Sequence, residues 1–206
     1  VQRSIEAIEP QTIGKFLFTS GSTGNPKAVI NTQEMMCANV AMGKQVIRRK
    51  PDDPPSVALH WLPWSHTMGG NAGLHGLIAD GGTLYLDDGR PLPGQFDETI
   101  RNLREISTTS FGNAPVGFAA LLNVLEVDDA LCRTFFKDLR MLAYGGAALS
   151  NDLYTRMQML AVTYTGQRIV FFTGWGATET SPTATSTYWE TERAGLIGLP
   201  HPGVEL

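Results

Sequence analysis

Short apolar runs alternate with amphipathic stretches along most of this chain, and this alternation limits the folds open to it. Residues 56–62, Thr83–Leu86, 107–111, 140–144 and 168–173 have the length and the β-branched, aromatic or aliphatic content of strands. Between them lie helical patterns. The stretch that follows Gly70 up to Ala79 reads as one, and Phe96, Ile100 and Leu103 mark a second. Pro115 suits a first helical position, with Phe118, Leu121, Leu122 and Leu125 following at i, i+3, i+4 and i+7 spacing. Ser150 is placed to cap a helix whose Leu153, Met157, Leu160 and Ala161 share a face. At least four strand–helix alternations with no internal repeat predict an α/β fold, a mostly parallel sheet with helices on both faces. Ligands of such sheets gather beyond the carboxyl ends of the strands, and each chemically interesting stretch here follows a predicted strand.

The first of these stretches is residues 19–27, Thr-Ser-Gly-Ser-Thr-Gly-Asn-Pro-Lys. It lies between residues 13–19, which read as a buried strand, and residues 28–30, which read as a strand returning alongside. Thr32 then caps a helix carrying Met35, Met36, Val40, Ala41, Val46 and Ile47 on one face. With few bulky side chains, the loop can turn its backbone N–H groups toward one anion. Thr19, Ser20, Ser22 and Thr23 add hydroxyls, Gly21 and Gly24 give room, and Lys27 supplies positive charge. A flexible surface turn shares the Gly/Ser composition, but Pro26 fixes φ directly before the lysine, which a flexible linker does not need. The pattern is not a Walker A loop, which has Gly before Lys and Ser or Thr after it; here those residues are Pro26 and Ala28.

Composition narrows the partners. The 206 residues are 42% hydrophobic and 17% charged, with a net charge of −4 and an isoelectric point near 5.5. That balance gives no footprint for nucleic acid or an anionic membrane. Cys37 and Cys132 lie far apart in helical apolar patterns, so neither a disulfide framework nor a zinc site is expected, and a reducing cytoplasm fits. No apolar run reaches the roughly 18 residues that span a bilayer. Val1 and Leu206 fall within patterned sequence, so both ends read as cut.

Residues 173–180, Thr-Gly-Trp-Gly-Ala-Thr-Glu-Thr, place an aromatic between two glycines, then a hydroxyl and a carboxylate. Trp175 held in a glycine turn can offer its face to a purine, and Glu179 can hold a hard cation such as Mg²⁺. A core tryptophan and a solvated surface acid are the plainer reading. His66 lies in Leu-Pro-Trp-Ser-His, while His60, His75 and His201 read as structural histidines. No histidine pair has metal spacing, and no Gly-x-Ser-x-Gly elbow is present.

Five of these stretches, taken together, resemble the signatures of the adenylate-forming superfamily. They are the loop at residues 19–27; Leu62-Pro63-Trp64-Ser65-His66; Gly145-Gly146-Ala147-Ala148-Leu149; Trp175-Gly176-Ala177-Thr178-Glu179, with Trp in place of the usual Tyr; and the Gly-x-x-Gly-x-Pro-x-Pro-Gly-x-Glu segment at residues 195–205. They occur in family order. Within the superfamily, residues 62–71, 81–89 and 175–182 are most similar to feruloyl-CoA synthetases.

The resemblance implies an acid–thiol ligase that joins a carboxylic acid, expected to be of cinnamate type and ferulate in particular, to coenzyme A through an acyl-adenylate made from ATP with Mg²⁺ bound. It assigns Trp175, Gly176, Gly146, Ala147 and Ala148 to the adenine side, Thr178 to the α-phosphate, Glu179 to Mg²⁺ and Lys27 with the loop to the phosphates. His66, Met68, Asn113 and Gly145 are expected around the acid. Residues 1–206 are expected to be the central part of the large N-terminal domain. The Tyr-x-Thr-Gly-Asp segment and the C-terminal lid with its lysine are lacking, so this stretch alone is expected to be inactive, with edges open to self-association. A non-catalytic nucleotide-binding module and a phosphotransferase are the rival readings.

Overall fold

The computed structural model describes residues 2–19, 24–50 and 52–206. A short helix, α1 (Gln2–Glu6), precedes an antiparallel hairpin of β1 (Ile13–Thr19) and β2 (Lys27–Thr32), in which Thr19 stands opposite Lys27. The hairpin forms its own two-stranded sheet. The expectation of a buried strand at residues 13–19 is corrected here: Leu17 is buried, whereas Phe16 and Phe18 are 53% and 72% exposed. A two-stranded ribbon standing apart from the main sheet has no layer on its second face. Helix α2 (Gln33–Val46) starts at the anticipated cap, where the Thr32 hydroxyl accepts from Met35 N–H at 3.3 Å.

The main sheet contains β3 (Val57–His60), β4 (Thr83–Leu86), β5 (Ser110–Asn113), β6 (Met141–Tyr144), β7 (Val170–Gly176), β8 (Thr183–Thr187) and β9 (Leu199–Pro200). Its order is β4-β3-β5-β6-β7-β8-β9; the first five strands run parallel, and β8 and β9 are antiparallel additions. The mostly parallel α/β architecture is therefore as expected. The helices that follow α2 are α3 (Gly76–Ala79), α4 (Asp97–Glu105), α5 (Pro115–Leu125), α6 (Asp129–Phe136) and α7 (Asn151–Thr165).

Alternation along β5, β6 and β7 turns Phe111, Leu142 and Phe171 to one face. There they meet Phe118, Leu121, Leu122 and Leu125 of α5, with Phe135 of α6 and Met157 of α7, in one buried cluster. Phe111 packs edge-on against Phe118 and Phe135 at 5.9 and 5.6 Å, contacts worth about 0.5–1.5 kcal/mol each beyond area burial. The opposite face carries Ala58, Gly112, Ala143 and Phe172 beneath α2, α3 and a π-helix (Met68–His75), with a cavity between the layers. Among the described residues, no helix is long and apolar enough to cross a membrane.

Candidate nucleotide and acid site

The hairpin ladder brings the two ends of the loop at residues 19–27 together, and the Thr19 hydroxyl donates to Lys27 C=O at 3.4 Å. Ser20, Gly21, Ser22 and Thr23 lie outside the described residues. Gly24 has φ +85°, a left-handed conformation that glycine adopts without a Cβ penalty. Lys27 is exposed at the base of the loop.

Trp175 does not sit in a glycine turn. Strand β7 continues through Gly176 and pairs with β8, so Trp175 is held in extended backbone, with its N–H on the Thr185 hydroxyl at 3.1 Å. The flanking glycines are required by packing: a Cβ on Gly174 would overlap Thr185 O, and one on Gly176 would overlap Pro182 O. The indole remains 51% exposed, leaving a face for stacking. Thr178 and Glu179 follow in a single 3₁₀ turn (Thr178–Thr180), and Glu179 is exposed with no ion pair among the described residues.

A buried polar cluster ties this turn to the other motifs. Asn71 Nδ2 on the π-helix faces Asn31 Oδ1 of β2 at 2.7 Å, Ser181 Oγ at 2.9 Å and Thr67 Oγ1 at 3.1 Å. Ser181 Oγ also reaches Asn31 Oδ1 at 3.3 Å, and Asn39 Nδ2 of α2 donates to the carbonyls of Thr180 and Thr183. Ser181 itself has φ +64°, strained for a residue with a side chain and held by these bonds. The sequence reading gave none of these asparagines a role. Their signal was Asn within apolar or glycine-rich runs, where a polar side chain must find partners if it is buried.

His66 is exposed, and its Nδ1 accepts from Met68 N–H at 3.1 Å, so the proton of a neutral ring belongs on Nε2, free to donate outward. The π-helix begins two residues later. Gly69 and Gly70 let it lie on the backbone of residues 62–64, where any Cβ would overlap the carbonyls of Pro63 and Trp64. Such local widening of a helix is frequent at functional sites.

Met68, Asn113, Gly145, Gly146, Trp175 and Gly176 all line the cavity, whose volume is about 850 Å³. It therefore begins at the carboxyl ends of β5, β6 and β7, and it runs back along the sheet toward Arg140 and Asp53. Met68 Cε lies so close to Gly145 that a Cβ there would overlap it. Asn113 Oδ1 accepts from Ala114 N–H at 2.9 Å, and its amide packs against Gly117. Lys27, His66, Ala147, Ala148, Thr178 and Glu179 are not part of the cavity wall. His66, Ala147, Ala148, Thr178 and Glu179 lie within three residues of Met68, Gly146 or Gly176 in the chain, and β2, which begins at Lys27, packs against the 3₁₀ turn. The fold thus gathers motifs from across the whole chain at one end of the sheet.

The sequence profile of AMP-binding enzymes matches residues 2–206. The chain belongs to the AMP-binding enzyme family. It is 26% identical to an acetyl-coenzyme A synthetase of Syntrophus aciditrophicus, over 91% of this chain and 26% of that protein. It is 27% identical to a long-chain-fatty-acid–CoA ligase of Bacillus subtilis, over 98% of this chain and 34% of that protein. A malonyl-CoA ligase solved as a product complex with methylmalonyl-CoA and AMP superposes with a TM-score of 0.75 at 25% identity, covering 97% of this chain and 40% of that one. The AMP-binding chain therefore spans about a quarter to a third of the curated relatives it matches. Those relatives act on acids of very different size, so family membership leaves the acid open.

Proposed function

We propose that this AMP-binding chain carries the nucleotide and acid site of an ATP-dependent acid–CoA ligase whose acid is of cinnamate type, ferulate being the expected substrate. The observation that carries the reading is that the Gly145–Gly146 strand end and Trp175–Gly176 line one cavity, while β2 of the Lys27 hairpin packs against the 3₁₀ turn that carries Thr178 and Glu179. Ala58, Gly112, Ala143, Leu62, Met68 and Phe172 line the cavity and offer apolar contact to an aromatic ring.

The first chemical step joins a carboxylate to the α-phosphate of ATP and releases pyrophosphate, so two anions must be brought into contact. The site has to neutralise charge and fix the line of attack. Lys27 supplies a cation beside the loop that faces the phosphates. Trp175 offers its exposed face to adenine, and the Thr178 hydroxyl a donor to the α-phosphate. His66 Nε2–H is placed to hold the acid's carboxylate. Glu179 fits a Mg²⁺ ligand, being an exposed carboxylate without a competing ion pair next to a hydroxyl. Bound there, the ion would offset phosphate charge. Coenzyme A then displaces AMP from the acyl-adenylate to give the thioester.

The test is ferulate-dependent exchange of pyrophosphate into ATP by the full-length polypeptide, in wild-type form and as Lys27→Ala, Glu179→Gln and His66→Ala. Exchange that requires ferulate and weakens in each variant is expected. Absence of exchange with any aryl or fatty acid would refute the ligase reading.

A further inference from the structure

His60 is a buried polar side chain on the cavity wall that the proposed site does not use. Leu59 points into the helix-covered core, so His60, the next residue of β3, faces the opposite layer and borders the cavity. The ring is 8% exposed, and neither Nδ1 nor Nε2 has a hydrogen-bond partner. Other polar groups on that wall are at least partly satisfied. Asn113 Oδ1 accepts from Ala114 N–H, and His201 Nε2 pairs with Ser186 Oγ at 2.6 Å. Asp87, the carboxylate whose charge acts on the ring, is committed to Gly89 N–H, the Thr99 hydroxyl and the Asn102 amide.

A neutral imidazole carries one donor and one acceptor, and leaving them unpaired in a buried site is costly. Burial pushes its pKa below the usual histidine value, with Asp87 opposing, so the ring is neutral near pH 7. The surroundings keep space beside it. Ala58 pairs with Ser110, which sets His60 level with Gly112 on the adjacent strand, and a Cβ on Gly112 would meet nothing nearer than Ala143 Cβ at 3.7 Å. Above the ring lies Gly73 of the π-helix, where a Cβ would come to 3.0 Å from Nε2. Two glycines thus flank an unpartnered polar ring, with Ala58 and Ala143 on the same face of the sheet.

We infer that His60 is a specificity-determining residue, pairing with a hydroxyl or similar hydrogen-bonding substituent on the tail of the acid. This rests on the ligase reading above and refines its substrate class. An acid lacking the substituent leaves His60 unpaired and is disfavoured, while an apolar residue at position 60 removes the distinction.

The test compares ferulate with cinnamate, which has no ring substituents, in pyrophosphate exchange by full-length wild type, His60→Leu, His60→Gln and Gly112→Ala. Wild type is expected to prefer ferulate, and His60→Leu to lower the ferulate-to-cinnamate ratio of kcat/KM by at least about tenfold, with cinnamate little changed. His60→Gln, which keeps a donor and an acceptor, is expected to fall between them. Gly112→Ala fills the space beside the ring and has room to fold, so it should lower the ratio even if His60→Leu does not fold. A ratio unchanged in both His60→Leu and Gly112→Ala, or an equal loss for both acids, overturns the role of His60. Exchange with other acids but neither of these would overturn the substrate class instead, and exchange with none would overturn the ligase reading.

Discussion

Replacing Asn71 with alanine tests whether the buried polar cluster holds the site together. The Asn71 amide has two N–H donors facing three acceptors, so two good hydrogen bonds are lost at most. At a net 0.5–1.5 kcal/mol each, that is about 1–3 kcal/mol. Asn31 Oδ1 keeps only the longer bond from Ser181 Oγ, at 3.3 Å, and Asn31 Nδ2 already lacks a partner, so a further ~1 kcal/mol for a poorly satisfied buried amide is reasonable. The expected loss is about 2–4 kcal/mol. Thr67→Val removes one contact and should cost about 1 kcal/mol. The assay is urea unfolding of Asn71→Ala, Asn31→Ala and the double variant, using the shift in midpoint at constant slope. The double variant should lose at least about 1 kcal/mol less than the sum of the singles, because both remove the same contact. A loss below about 1 kcal/mol for Asn71→Ala, or strict additivity, would refute the coupling argued here.

Gly176→Ala places a methyl against Pro182 O, which is backbone and has no rotamer to yield, so a loss of about 3 kcal/mol or more is expected in thermal or urea unfolding, whereas Gly43→Ala inside α2, where the added Cβ meets nothing within 4 Å, should gain up to about 1 kcal/mol. Burial holds the pKa of His60, His75 and His201 below the ordinary 6.5, with Lys15 adding to the effect at His75. The unfolded chain therefore binds more protons than the folded one once pH falls through that value, and stability drops on acidification from about pH 7 to pH 5. His60→Leu should flatten that slope in urea midpoints. The surface carboxylates of Glu126, Asp128 and Asp129, lowered first by hydrogen bonds from Arg156, Arg104 and Tyr164 respectively, lose their contribution only at more acid pH.

Where a signal is local, the sequence carries it. Thr32 and Ser150 announce their helices because a hydroxyl before an amphipathic run has one main use, and both accept from the N–H three residues on. The parallel strands were legible because burial on both faces leaves short apolar runs. Strand β8 was not, since Thr-Ala-Thr-Ser-Thr reads as polar; Thr185 and Thr187 are nevertheless buried because their hydroxyls find the carbonyls of Ile197 and Leu196. The same limit hid Asn71, whose partners lie 40 and 110 residues away. The exposure of Phe16 and Phe18 was misread for the opposite reason: apolar alternation reports what a strand can bury, and not whether a layer is present to cover it.

The Asn71 cluster also bears on chemistry, because groups that meet an anion must stay exposed while their positions are fixed from beneath. Lys27, His66 and Glu179 are exposed, and none of them sits in the buried core. What sets Glu179 relative to Lys27 is the layer below: Asn31 on the Lys27 strand, Ser181 two residues after Glu179, and Asn71 between them. Loosening that layer should spread the carboxylate over several positions, whereas the β1–β2 ladder beneath the loop proposed for phosphate stays in place. The loss in Asn71→Ala is therefore expected mainly in the rate of pyrophosphate exchange, by about tenfold or more at a temperature where the variant is fully folded, with the KM for ATP little changed. Glu179→Gln removes the carboxylate itself, so adding Asn71→Ala to it should cost little more. A full second tenfold loss in the double variant would show that Asn71 acts on exchange by some route other than placing Glu179.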